Sequence, residues 1–267
     1  MIGEDPLDLN GQIAFVTGAG QGAGRAIALA MARHNAGGVA VNDFVPARAE
    51  AVAAEITAMG VAAVAAPADV GDHAAVRSAI AMTQEKLGPI TILVNNAGNA
   101  GPDATMGMSP AFWEAAPGDW DRYFRTNLQG VMNCCHAALP GMVAARRGRI
   151  VTVVSDAGRV GEAGLVAYSA AKAGAAGFMR AIAREAGRYG ITANAISLST
   201  LEPAMEKAAL SAFLASDRTK AHLSRYVIRR FGQPDDVAHM ALFLCSDAAS
   251  WITGQTYPVN GGYSFAQ

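Results

Sequence analysis

The sequence predicts an α/β fold, a doubly wound, parallel, seven-stranded sheet with helices on both faces, and three observations carry that prediction. Short apolar runs alternate with amphipathic stretches roughly every 30 to 40 residues, each pair joined by a Gly or polar turn. The runs are apolar throughout instead of at every second position, as strands covered on both faces must be. The 267 residues are 52% hydrophobic and 16% charged and include 29 glycines, a composition of little exposed surface, Ala-rich helices and close backbone approaches.

Taken in order, Ile13 to Val16 is the first strand, and the turn Thr17 to Gly24 opens a helix from Gly22 to His34. Gly38 to Val41 follows as the second strand, with an amphipathic helix from Ala47 to Met59 behind it. Ala62 to Ala65 and Ile90 to Val94 are the third and fourth strands, separated by a helix from His73 to Leu87. A helical stretch from Pro117 to Ala144 leads into the fifth strand, Arg149 to Val154, and another from Ala163 to Tyr189 leads into the sixth, Thr192 to Ile196. A helix from Asp235 to Leu244 precedes the last strand, Thr256 to Val259. Strands buried on both faces and separated by helices imply right-handed parallel crossovers. No linker or compositional break interrupts the rhythm, so residues 1–267 are read as one domain. One segment, residues 199–230 between the sixth and seventh strands, exceeds an ordinary connection and carries an amphipathic stretch around Pro203 to Ser216; a lid or substrate wall is expected there.

With 21 basic against 22 acidic residues the formal net charge is -1, which excludes disorder driven by charge and offers no basic face to nucleic acid. The densest basic run, Arg146, Arg147 and Arg149, reads as a solvated loop. No window holds the roughly 18 to 20 apolar residues of a membrane span, and the start, MIGEDPLDLN, is acidic where a signal peptide is basic and then apolar, so a cytoplasmic protein is expected. Cys134, Cys135 and Cys245 lack CxxC spacing and are expected as reduced core thiols. His34, His73, His136, His222 and His239 are scattered, and no metal site is expected.

The chemistry sits in four motifs. Thr17 to Gly24 reads TGxxxGxG after a strand and before a helix, where glycines let backbone amides approach a pyrophosphate and the helix offers its positive end. NNAG stands at Asn95 to Gly98, Tyr168-Ser-Ala-Ala-Lys172 lies in a helical stretch, and TGQTYPVNGG runs from Thr253 to Gly262. In content and order these resemble the short-chain dehydrogenase/reductase family over nearly the whole chain. The resemblance implies a Rossmann-type subunit, a nicotinamide cofactor, hydride transfer between an alcohol and a carbonyl, and a homotetramer formed through the C-terminal strand and the helices bearing Asn127 and Tyr168.

Gly18, Gln21, Gly22, Ala23 and Gly24 are the expected pyrophosphate cradle. Asp43 ends the second strand, where a carboxylate accepts hydrogen bonds from ribose hydroxyls and repels a 2′-phosphate, favouring NAD. Gln21 agrees, since NADP-preferring relatives often carry a basic residue there. Asp69 and Val70 resemble the family's adenine-contacting pair, and Asn96, Ala97 and Gly98 the stretch bordering the adenosine ribose. Tyr168 and Lys172, four apart on a helix, share a face, and an ammonium beside a phenol favours the phenolate that a base at neutral pH requires. By family spacing Ser155 would hold the substrate oxygen, and Asn127 would complete a tetrad by binding a water that links Lys172 to solvent.

After the sixth strand the sequence departs from the family. The family usually continues with a Pro-Gly pair and, four residues after the Gly, a Thr; here the run is Leu198-Ser199-Thr200-Leu-Glu-Pro203, with both Pro and Gly replaced and Pro203 at the Thr position. Leu198 backbone atoms or the Thr200 hydroxyl are the expected substitutes at the nicotinamide carboxamide. The expected substrate walls are Asn99 to Trp113, Asp156 to Ala167 and the insertion, with Met106, Met108, Phe112, Trp113, Val160, Leu165, Met205 and Phe213 suggesting an apolar pocket. The run SDAGRVG from Ser155 is similar to that of members oxidising hydroxyacyl thioesters or cyclic alcohols. An NAD-dependent oxidoreductase of a secondary alcohol or ketone is therefore expected. The alternatives are an NADPH-dependent 3-oxoacyl-thioester reductase and a catalytically silent nucleotide-binding protein.

Overall fold

Seven β-branched and Ala-rich strands pair in parallel in the order β3-β2-β1-β4-β5-β6-β7 in a computed structural model that describes residues 5–98 and 111–265. The strands are β1 (Ile13–Val16), β2 (Gly38–Val41), β3 (Ala63–Ala65), β4 (Ile90–Asn95), β5 (Gly148–Ser155), β6 (Ile191–Leu198) and β7 (Thr256–Val259). The helices are α1 (Gly22–Arg33), α2 (Pro46–Ala58), α3 (His73–Leu87), α4 (Asp121–Phe124), α5 (Gly130–Ala145), α6 (Ala157–Val160), α7 (Val166–Ala186), α8 (Lys207–Ala215), α9 (Asp217–Leu223) and α10 (Pro234–Cys245). Strand alternation splits the core: Ala14 and Val16 of β1 join α1, α2 and α10 on one face, and Ile13 and Phe15 join α3, α5 and α7 on the other. β1 pairs with both β2 and β4, so the chain reverses its winding there and opens a crevice beyond their carboxyl ends.

Two sequence expectations are corrected. The stretch read as one helix from Pro117 is a 3₁₀ turn (Pro117–Asp119), α4, a π turn (Arg125–Gln129) and α5. The basic run is not a solvated loop: Arg146 closes α5 at a positive φ of 49°, while Arg149 is buried and reaches Asp247 at 2.9 Å. Two of the scattered histidines meet, His73 Nε2 lying 3.0 Å from His136 Nδ1 where α3 packs on α5. Among the described residues no group of three or more potential ligands is arranged to hold a metal, and no helix is long and apolar enough to cross a membrane.

Between β6 and α10 the chain forms α8 and α9, closed at their base by a parallel bridge between Leu201 and Gly232. No residue of α8 is buried, whereas Thr219 of α9 is. Residues 99–110, which include Met106 and Met108, lie outside the described residues.

Candidate active site

β1 hands the chain to Thr17, whose hydroxyl accepts the Asn96 and Ala97 amides, each at 2.9 Å, and donates to the Val94 carbonyl at 3.3 Å. The Asn96 side chain donates back to the carbonyls of Thr17 (3.0 Å) and Gly18 (3.1 Å). The ends of β1 and β4 are thereby tied at the switch point. Gly24 must be glycine because a methyl there would stand 2.1 Å from the Gly18 carbonyl. Gly22 adopts a φ of +55° and faces open space at the start of the twelve-residue α1. Free amides, a positive helix end and an absent side chain fit a pyrophosphate.

Asp43 is buried, and each of its oxygens has a backbone partner: Oδ2 accepts from Gly20 at 3.0 Å and Oδ1 from Val45 at 2.9 Å. The carboxylate thus braces the glycine turn against β2 and keeps lone pairs for ribose hydroxyls. Asp69 is similarly committed, with Oδ1 on the Gly71 amide at 2.8 Å and Oδ2 on Arg125 at 2.6 Å. Its side chain is an anchored wall, with Arg125 lying over Gly71.

At the other end of the crevice, β5 and β6 pair to their last residues, Ser155 opposite Leu198. Tyr168 and Lys172 project from α7 and line the cavity together with Ser155. Burial raises the Tyr168 pKa above its ordinary value, and the Ser155 side chain opposes that shift. Burial also lowers the Lys172 ammonium to about 8, so it remains cationic at neutral pH. Lys172 Nζ donates to the Val153 carbonyl at 2.9 Å and lies 5.8 Å from the centre of the Tyr168 ring. Tyr123 packs edge-on against the same ring at 6.4 Å. Asn127 sits in the π turn and is fully buried, its Nδ2 donating to the Tyr123 carbonyl at 2.9 Å. Gly98 leaves room for both groups: a methyl there would fall 2.8 Å from Asn127 Oδ1 and 2.9 Å from Lys172 Nζ.

One cavity of about 890 Å³ runs between these ends. Its walls include Gly18, Gln21, Gly22, Ala23, Gly24, Asp43, Asp69, Val70, Asn96, Ala97, Gly98, Ser155, Tyr168, Lys172 and Leu198. Two expected residues stand elsewhere. Asn127 lies behind the wall, and Thr200 turns away, its hydroxyl 3.3 Å from His222 Nε2, where residues 200–202 are bridged to residue 232. Ser199 faces the cavity instead. Sequence reasoning also missed Asn42, Phe44, Arg48 and Arg122 on the wall. Position was the available signal for three of them, since Asn42 and Phe44 flank Asp43 and Arg48 is five residues beyond it.

A crevice with a glycine turn suited to phosphate at one end and a half-buried serine and tyrosine with a buried lysine at the other is that of a dinucleotide-dependent oxidoreductase. A family model described as enoyl-(acyl carrier protein) reductase matches residues 18–264. The chain is 39% identical over 250 residues to the 3-oxoacyl-[acyl-carrier-protein] reductase FabG of Staphylococcus aureus (strain Mu50), a match covering 93% of this chain and 96% of the relative. A 7α-hydroxysteroid dehydrogenase solved with NADH and 7-oxo glycochenodeoxycholic acid superposes with a TM-score of 0.85 at 32% identity, covering 98% of both chains. A gluconate 5-dehydrogenase from Burkholderia cenocepacia, solved with NADP and tartrate, also gives 0.85, at 31% identity, over 98% of this chain and 99% of the other. The chain belongs to the short-chain dehydrogenase/reductase family of oxidoreductases.

Proposed function

We propose that the protein interconverts a secondary alcohol and a ketone with NAD as hydride acceptor, acting on a hydroxyacyl thioester or an alicyclic alcohol. The observation carrying this reading is that Ser155, Tyr168 and Lys172 line the same cavity as the glycine turn and Asp43. The two hydroxyls present themselves together to one substrate oxygen. In the oxidative direction Tyr168 takes the alcohol proton while Ser155 holds the oxygen; in reduction Tyr168 returns it. Lys172 supplies a positive charge beside the Tyr168 ring, and the Val153 carbonyl fixes where that charge stands. A bound nicotinamide ring supplies the hydride exchange with the carbinol carbon. Asp43 supports NAD by opposing a 2′-phosphate, and the relative solved with NADH and a steroid agrees with an alicyclic substrate.

Arg48 favours a second reading, reduction of a 3-oxoacyl thioester with NADPH. It lies on the cavity wall next to Asp43, where a guanidinium can pair with a 2′-phosphate, and the similarity to FabG points to the same substrate class. A homotetramer is proposed through the open edge of β7, which ends the sheet, and the outer faces of α5 and α7.

A panel of alcohols, ketones and acyl thioesters, followed by absorbance of the reduced nicotinamide with NAD and NADP in parallel, tests the reading. Turnover with NAD that vanishes in Tyr168→Phe supports it; cofactor binding without turnover on any class sinks it.

A further inference from the structure

We propose that Tyr226 is a positioning residue for the nicotinamide end of the cavity, its hydroxyl holding Ser199 and Thr200 where this chain lacks the Pro-Gly pair and the Thr of its relatives. The inference rests on the proposed reading of the cavity as a dinucleotide site.

The place follows from the sheet. Ser155 and Leu198 are opposite in register, so Ser199 is the first residue past β6 beside the Ser155–Tyr168 pair, and it lines the same cavity. Leu198, at the family's proline position, is held by pairing in β6, whereas Ser199 and Thr200 have both torsions free and must be held by contacts. The Tyr226 side supplies them. Tyr226 is 3% exposed, and its hydroxyl stands 2.5 Å from Ser199 Oγ while accepting the Thr200 amide at 3.3 Å. His222 Nε2 lies 3.3 Å from that hydroxyl and 3.3 Å from Thr200 Oγ1, closing a four-residue polar cluster. From the other side, Gly232 donates to the Thr200 carbonyl at 3.1 Å and Glu202 donates to the Gly232 carbonyl at 2.9 Å.

The anchor is itself rigid. The Tyr226 ring packs on His222 (5.5 Å between centroids) and Tyr263 (5.1 Å), and His222 stacks on Phe231, which stacks on Phe213. The insertion after β6 therefore has a fixed base that reaches the cavity through one phenol. The tie also draws the Thr200 hydroxyl outward and leaves Ser199 as the polar residue of this loop facing the cavity.

The test is calorimetric titration of wild type and Tyr226→Phe with NADH or NADPH, whichever wild type binds more tightly, and with the matching fragment lacking the nicotinamide ring, ADP-ribose or its 2′-phosphate. The variant keeps the ring packing and removes only the hydroxyl. Its dissociation constant for the reduced dinucleotide is expected to rise roughly three- to tenfold, the range for one neutral hydrogen bond, with the ring-free fragment unchanged within about twofold. Ser199→Ala should add less in the Tyr226→Phe background than in wild type. His222→Gln, which loosens the cluster and leaves the Tyr226 hydroxyl in the chain, should show the same selective loss and serves if Tyr226→Phe fails to fold. Unchanged dinucleotide affinity, or equal loss on both ligands, overturns the inference alone. A wild type that binds neither ligand overturns the reading of the cavity and the inference with it.

Discussion

Lys172→Met should make the cofactor-free protein more stable at neutral pH. Lys172 is 4% exposed, and burial lowers its pKa from 10.5 to about 8. At about 1.36 kcal/mol for each factor of ten in proton affinity, holding this ammonium out of water costs the fold roughly 3 kcal/mol at pH 7. Methionine keeps an unbranched apolar stem one atom shorter and removes the charge. It also forfeits the hydrogen bond to the Val153 carbonyl, worth about 1 kcal/mol, so a net gain of about 2 kcal/mol is expected. The sign has a distinctive pH dependence. Below about 8 both folded and unfolded wild type carry the proton and the whole cost is present. Between about 8 and 10.5 the unfolded chain binds more protons than the folded one, so wild-type stability climbs with pH relative to the variant. Above 10.5 the cost is gone, and only the lost hydrogen bond distinguishes the two proteins. Urea unfolding of both proteins without cofactor, at pH 7 and at intervals up to 10.5, reads the difference directly, with other titrations cancelling. A variant no more stable than wild type at pH 7, or an advantage that does not shrink with rising pH, refutes the reasoning.

Further outcomes follow from the same geometry. Tyr168→Phe should lower turnover by at least about a hundredfold while dinucleotide affinity, measured by titration, stays within about threefold. Asp43→Asn should shift the kcat/KM ratio toward NADP and Arg48→Ala away from it; parallel steady-state kinetics with both cofactors decide this, and an unmoved ratio in both variants removes these residues as selectivity determinants. Gly24→Ala should destabilise the turn and abolish cofactor binding, because the new methyl meets a backbone carbonyl that cannot step aside. Asp247→Asn should cost about 1 to 2 kcal/mol at pH 7, since the buried Arg149 loses its carboxylate, discounted because Asp247 is half-exposed. Burial raises the Asp247 pKa, but hydrogen bonding and charge from Arg147 and Arg149 outweigh it and leave a net depression. The lost stability is therefore present above the ordinary carboxylate range, and the deficit should fade as pH falls through the lowered value.

Strands, the glycine turn and most of the cavity wall were legible in the sequence because their causes are local. Apolar runs with helical spacers leave few topologies, and a turn such as Thr17 to Gly24 declares itself by residue type. What escaped depends on partners far along the chain. The Arg146, Arg147 and Arg149 run reads as surface until Asp247, 98 residues beyond Arg149, reaches it. His73 and His136 are unrelated in sequence and meet only because α3 packs on α5. Thr200 was a sound choice by chemistry, but its hydroxyl direction is set by His222, from a helix whose place no periodicity predicted. Arg125 bears the same lesson, since its pairing with Asp69 joins the loop after β3 to a turn that reads in sequence as uninterrupted helix.

That turn has a further consequence. In a helix of 3.6 residues per turn, one added residue ordinarily rotates everything beyond it by about 100°, so an insertion scrambles the packed face. The π turn at Arg125–Gln129 absorbs one residue within a single widened loop of backbone, and α4 before it and α5 after it keep their own contacts with α7 and α3. Asn127 was thus accommodated without rewriting the core around it. Removing one residue from that turn should leave both helices docked and the sheet intact while displacing the Asn127 amide from beside Gly98. Here the scaffold and the instrument it carries were built as separable parts.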